Sequence, residues 1–558
     1  MLRIITLMLI LAACLAALAQ PAPNDVQTAV TAGRAALSGR QYAEAVKQFT
    51  LAVAGQEKLK GAEDASLVPL LHYLADAQVG LKSYPDAEQT LQRALAIAAK
   101  PRGPADYGVV ATLNKCTALY STIPDYPKAE ETATRALAVT GQAKGAESPE
   151  VVSQSLILSD LYVRAKRYAD SEKTLQRALT IGEKLKGPDD PSLLATLYRY
   201  VSLYTAQKLY RQAEPLQQRV YALTEKAKGP QDLALIPPLN TFVSLYVNQQ
   251  KYTDAEMTYD RILAIGEKAK GAEDPYYASL LAGRAEFYIN QKRYDKAEDD
   301  LLSAVAIVEK AKGPGDASIA PMLGRLIVIS NIQKTYEKSL PLSLRIIAIL
   351  EKANGADDPS LVSYLQQNSD LHIYLAKKED ALPPLLRALA IGEKAKGPED
   401  YSLVLTLYKL VGVYNALLQY PQAEATLNRE IAIIEKTKGR EDPGLVTPLV
   451  HLALAYVHQK KVEGREAVLL RAVAIAEKAG HTDPALWYPL NYLNDYVYMP
   501  QKQYDKAEVV LLRALAVADR QKEPKNQLGI LNKLLTLYNN QGRKVDAQQV
   551  QRRIDALK

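Results

Sequence analysis

A glycine recurs along this chain at a fixed interval. Gly61, Gly103, Gly145, Gly187, Gly229, Gly271, Gly313, Gly355, Gly397 and Gly439 stand 42 residues apart, and a degraded copy follows at Gly480. A strict period of this size restricts the fold more than any local motif does, because each repeat must be one supersecondary unit that buries its apolar face on its neighbours. It also removes the size limit that would otherwise divide 558 residues into several globular domains.

The segment around each glycine reads as a joint. In IGEKAKGPEDYSLV, residues 391 to 404, two lysines precede the glycine and Asp400 follows it by three residues. Equivalent positions hold Asp64, Asp106, Ser148, Asp190, Asp232, Asp274, Asp316, Asp358 and Asp442, several of them followed by proline. Glycine can enter left-handed backbone and stop one helix, while the carboxylate or hydroxyl accepts from the free amides that start the next. Proline suits the first helical position, where its missing donor is not needed. A phosphate-gripping loop would need a preceding strand and one special copy. This motif has neither, so it reads as stop, turn and start.

Between joints the apolar residues recur at three and four, as in Leu403, Leu407, Leu410 and Tyr414, and again after a break in Ala423, Leu427, Ile431 and Ile434. That is helical periodicity, so each unit is a helical hairpin and the predicted fold is all-α. Counting joints gives about thirteen hairpins over residues 24–558. Tyrosine marks most breaks, from Tyr42 through Tyr336 and again at Tyr420 and Tyr504, and a small residue such as Ala45, Ser171 or Ala423 follows three positions later. A second small position, as at Ala94, Ala388 and Ala514, is preceded by an arginine in ten hairpins, from Arg93 to Arg513, with Ser303 as the gap. The 34 tyrosines against 3 phenylalanines suit a thin core whose edges lie close to water. Residues 544–558, with Val550, Ile554 and Leu557 on one face, are predicted to form a C-terminal capping helix.

The small residue after the tyrosine, the leucine four further on, the alanine three beyond that, and a tyrosine late in the first helix (Tyr162, Tyr204, Tyr414) resemble the tetratricopeptide repeat. The long RALAIGEKAKGPED ending is similar to the 42-residue variety of kinesin light chains and many bacterial repeat proteins. The resemblance covers the chain after residue 24 and implies a right-handed α-solenoid, a superhelix whose first helices line a concave groove. The closing proline of the shorter common repeat is absent, so the second helix should run longer, about 27 Å over residues 421–438 at about 1.5 Å per residue.

On the groove face the resemblance places Tyr198, Ser244, Glu286, Asn331, Gln366, Asp370, Tyr408 and Asn415. A mixed polar lining of this kind suits an extended peptide or the edge of a protein, although any one of these residues could simply face water. The arginine series could grip an acidic polymer, or could pair with the acidic joints. Of the five histidines, His72, His372, His451, His458 and His481, the pair 451 and 458 lies about 10 Å apart along one helix, too far to share a metal ion. Neither a nucleophile elbow nor a nucleotide loop is found, so no catalytic residue, cofactor or metal is expected. The net charge of +7 is interspersed along the chain, which does not point to nucleic acid. Hairpins eight and nine depart from the pattern at Ser330, Ser339 and His372, by function or by drift. The expected function is a non-catalytic scaffold for a protein or peptide partner, and the alternative is a regulatory solenoid that senses a small molecule in the same groove.

The first residues, MLRIITLMLILAACLAALAQ, read as a secretory signal peptide. Ala17, Leu18 and Ala19 fit cleavage before Gln20, giving residues 1–19 as the leader and 20–23 as a short linker. Leu11 to Cys14 also resembles a bacterial lipobox, which would remove 1–13 and lipidate Cys14. The expected location is therefore periplasmic or secreted, with a membrane anchor only in the lipidated case. The other cysteine, Cys116, then has no intramolecular partner and reads as a small buried hydrophobe.

Overall fold

The computed structural model describes residues 23–100, 107–480, 484–521 and 524–557. The expected leader, Cys14, the joint Gly103 with Asp106, and His481 lie outside the described residues. Among those described there are 26 α-helices and no strand. They pair into thirteen hairpins, as the period requires. Two compact units divide the chain, one up to residue 269 and one from 270 onward. Hairpins one to six make the first, around fully buried side chains such as Phe49, Leu113, Leu197 and Leu245. Hairpins seven to thirteen make the second, around Leu301, Leu385, Leu427 and Leu511.

Hairpin ten shows how sequence becomes structure in each unit. Asp400 Oδ1 accepts from the Ser402 amide at 2.9 Å and opens a short 3-10 turn that leads into the helix Val404–Ala416. Leu407, Leu410 and Val413 face the core. The helix ends when the Leu418 N–H donates to the Asn415 carbonyl at 3.1 Å and the Gln419 N–H to that of Tyr414 at 2.8 Å. This is the paired bonding that closes a helix through one left-handed residue, here Leu418 at φ 60°. The helix Tyr420–Lys438 follows, burying Ala423, Leu427, Ile431 and Ile434. Where the tyrosine of the break is replaced, by Lys378 or Val462, the second helix starts late, at Leu382 behind a 3-10 turn and at Arg465 behind Gly464.

The joint glycines have positive φ, as expected, but not the left-handed helical conformation. Gly397 sits at φ 90° and ψ 159°, an extended mirror-image region that only glycine occupies readily. Its N–H still closes the helix by donating to the Glu393 carbonyl at 2.8 Å. The left-handed residues lie instead inside the hairpins, two positions before the tyrosine, and are rarely glycine: Lys166, Lys208, Gln250, Lys292 and Leu418 all have φ near 60°. A helix, Lys544–Leu557, covers the segment read as a cap. Ile554 is buried, and Val550 and Leu557 pack partly buried against the core of the second unit.

Candidate functional site

Most charged residues of the joint have internal partners, which leaves little of it for a ligand. Arg429 pairs with Glu393 at 2.5 Å and donates to the Pro398 carbonyl at 2.8 Å. Arg387 pairs in the same way with Glu351 and reaches the Ala356 carbonyl at 2.7 Å. The arginines therefore bind the end of the preceding second helix and the loop carbonyl beyond it, not the capping aspartates. Lys394 meets Asp357 at 2.5 Å, and Lys436 meets Glu399. Asp400 is committed to Ser402, whose hydrogen bonds hold its carboxyl below the usual range. Glu393, Lys394 and Glu399 of IGEKAKGPED thus tie one hairpin to the next, while Asp400 caps the start of its own.

The late tyrosines are tied similarly. Tyr204 donates its hydroxyl to Glu172 of the preceding hairpin at 2.6 Å, and Tyr498 donates to Glu466 at 3.0 Å. Burial first, and the accepting carboxylate second, push the Tyr498 phenol up to about 12. In hairpin eight, where serine replaces the tyrosine, Ser330 is buried and Glu298 pairs with Lys338 at 3.2 Å instead. His372 of hairpin nine lies 4.0 Å from Asp380 and is lowered by burial. Cys116 is buried, and its thiol is pushed up to about 11 by that burial. No group of three or more metal-ligating side chains occurs among the described residues.

The eight groove candidates differ in what already engages them. Some are occupied within the fold: Gln366 is buried and donates to Thr406 at 2.8 Å, Asn331 accepts from Ser339 at 2.8 Å, and Ser244 donates to the Asn240 carbonyl of its own helix. Others belong to ion pairs between successive first helices, Glu286 with Arg325 at 3.0 Å and Asp370 with Lys409 at 2.6 Å. Tyr198 is exposed in the first unit, which also holds Ser244. Asp370, Tyr408 and Asn415 come together around a cavity of about 430 Å³, with Tyr374 and His451 completing its rim. Tyr408 is 44% exposed and stacks on His451 with ring centroids 6.0 Å apart.

A second cavity, of about 540 Å³, shares Tyr408 with the first. Tyr401, Leu405 and Ser402 line it from hairpin ten, Thr447 and Pro448 from hairpin eleven, and Glu430 from the helix behind them. Glu430 is only 3% exposed, and its Oε2 has no hydrogen-bond partner. Burial pushes its carboxyl up to about 7. The other buried acid among the described residues, Asp300, has Arg284 at 2.8 Å. Glu430 was not a candidate on sequence, yet the period carries a signal for it. It occupies the second small position, which from the second to the twelfth hairpin is otherwise alanine, or Val220, Ile262 and Ile346, all buried.

A tetratricopeptide-repeat family model matches residues 152–226 and 238–310. No curated protein matches the chain. Among solved structures, BtubC from P. vanneervenii is 19% identical over 43% of this chain and 89% of its own, with a TM-score of 0.33. A kinesin-light-chain structure from Podosopora anserina with nearly identical TPR-like repeats is 22% identical over 38% of this chain and 99% of its own, at a TM-score of 0.34. The apo form of RapI is 15% identical over 65% of this chain and 97% of its own, at a TM-score of 0.39.

Proposed function

We propose that the first-helix face of hairpins nine to eleven holds an extended segment of a protein or peptide, and that the chain is a non-catalytic scaffold. The observation that supports this is the convergence of Asp370, Tyr408, Asn415 and His451, from three successive first helices, on one opening. An exposed ring beside charged and amide groups offers both apolar contact and hydrogen bonding to a strand-like ligand. Stacked helical repeats present extended surfaces of this kind. The cavity also falls in the size range of small-molecule sites, so a sensing role is the second reading.

The test is to select binders from a decapeptide library on the whole chain and measure their affinity by calorimetry. Asp370→Ala with Tyr408→Ala should weaken capture, whereas Lys394→Ala with Lys436→Ala should leave it unchanged. Asn331 is omitted from the pair because its side chain is committed to Ser339. Capture that depends on the lysines and not on the first pair would move the binding face elsewhere. Stabilisation by a metabolite pool with no peptide retained would favour the sensor. We further propose that the chain acts outside the cytoplasm, on the strength of residues 1–20.

A further inference from the structure

We infer that Glu430 and the cavity it lines form a receptor for one basic side chain, lysine or arginine, of the bound segment. The inference rests on the groove reading above and specifies what that groove selects. Three observations converge on it. First, a carboxyl stands at a buried position where every other hairpin from the second to the twelfth carries an aliphatic residue, and a local rule broken at a single copy is where function is expected. Second, Glu430 is buried and its Oε2 is unpartnered, yet the side chain lines an open cavity. A buried acid with no partner is costly, and a cation that reaches it removes that cost. Third, the walls match such a cation. Val404, Leu405, Ile434 and Pro448 suit an aliphatic stem, and the rings of Tyr401 and Tyr408 suit the charge, by the attraction of cations to aromatic faces.

Among the described residues no cation is paired with Glu430. Arg429, the neighbour in sequence, is held by Glu393 and the Pro398 carbonyl. Lys438 lies over the Tyr401 ring at 5.1 Å, which shows that this ring accepts a cation. Asp400 is turned to Ser402, and the lining from hairpin eleven, Gly444, Thr447 and Pro448, is uncharged. Because Tyr408 borders both cavities, a segment lying along the first helices passes the mouth of this one. An acidic side chain would be repelled, and an apolar one would leave the carboxylate unpaired.

The experiment titrates N-acetyl-lysine methylamide into the full chain near neutral pH by calorimetry, with N-acetyl-norleucine methylamide as the uncharged control. Saturable binding of the lysine compound is expected, stronger than that of norleucine, and weaker by about tenfold or more in Glu430→Gln, which keeps the shape and removes the charge. Glu430→Ala, the residue of the neighbouring hairpins, should show the same loss should the amide variant fold poorly. Equal binding of the two compounds, no saturable binding in the wild type, or lysine binding unchanged in both variants overturns the inference. Library peptides captured through Asp370 and Tyr408, without amine binding at Glu430, would overturn this inference and leave the scaffold reading standing. Amine binding without any groove peptide would do the reverse.

Discussion

Replacing Glu430 with alanine should change the stability of hairpin ten in a pH-dependent way. The folded chain holds this carboxyl at about 7 against the ordinary 4.5. The acid is raised, so the native state binds an extra proton between those two values, and stability falls as pH climbs through that window, levelling above it. At about 1.4 kcal/mol per pH unit the full penalty is about 3 kcal/mol, and most of it develops between about pH 5 and about pH 8. Removing the side chain also forfeits packing and opens space, at about 1–2 kcal/mol for two methylene groups. That cost does not vary with pH, so the two effects separate. The variant should be modestly less stable than wild type near pH 5 and more stable near pH 8. A chain of stacked repeats need not unfold in one step, so the readout is hydrogen exchange of residues 427–434, wild type and variant compared at the same pH so that intrinsic rates cancel. A stability difference that stays the same at both pH values would refute the assignment of an unpartnered, proton-retaining acid.

Gly397→Val should cost about 1 kcal/mol or more, because a β-branched residue is strained at positive φ. An added Cβ there meets nothing within 4 Å, so a loss seen by local hydrogen exchange reports backbone conformation and not a clash, while Lys396→Ala should leave exchange unchanged. Leu418→Gly should stabilise hairpin ten by up to about 1 kcal/mol, since left-handed backbone costs an L-residue about 1–2 kcal/mol and glycine returns part of it as chain entropy. Leu418 is 69% exposed, so little packing is lost. Destabilisation by that change in a denaturant or exchange experiment would mean that its side chain matters more than its φ. Intact-mass measurement of the protein from its native host should find a chain beginning at Gln20, and a diacylated Cys14 terminus would replace the soluble exported form with an anchored one.

The hairpin count was legible because glycine, aspartate and the apolar series all repeat with one period, and each is tied to a local physical demand. The glycine conformation was less so. A positive φ can be inferred from glycine at a helix end, but the choice between the left-handed helical and extended mirror regions depends on where the next helix starts. The left-handed turns inside the hairpins were hidden, because lysine, glutamine or leucine stands where glycine would advertise the conformation. For the eight first-helix candidates, the repeat pattern does not reveal which side chains are already committed within the fold. Nothing local to Asn331 or Gln366 says that Ser339 and Thr406 will take their hydrogen bonds. Glu430 was readable by comparing the repeats with one another, but not from its own neighbourhood, where one glutamate among charged helix residues looks ordinary.

The bonds between hairpins also bear on how such a chain can change over generations. Within either unit, the arginine reaches a carbonyl 31 residues back and a glutamate 36 back, and the lysine reaches an acid 37 back. All of these partners recur with the same spacing as the helices. Unequal recombination that removes or adds one whole repeat inside a unit would therefore rejoin each cation to an equivalent acid, whereas an excision of any other length would separate the partners on both sides of the cut. The number of stacked first helices within a unit is thus a heritable quantity that can be adjusted in single steps. A residue such as Glu430, present once, is what such an exchange can lose or duplicate without disturbing the framework.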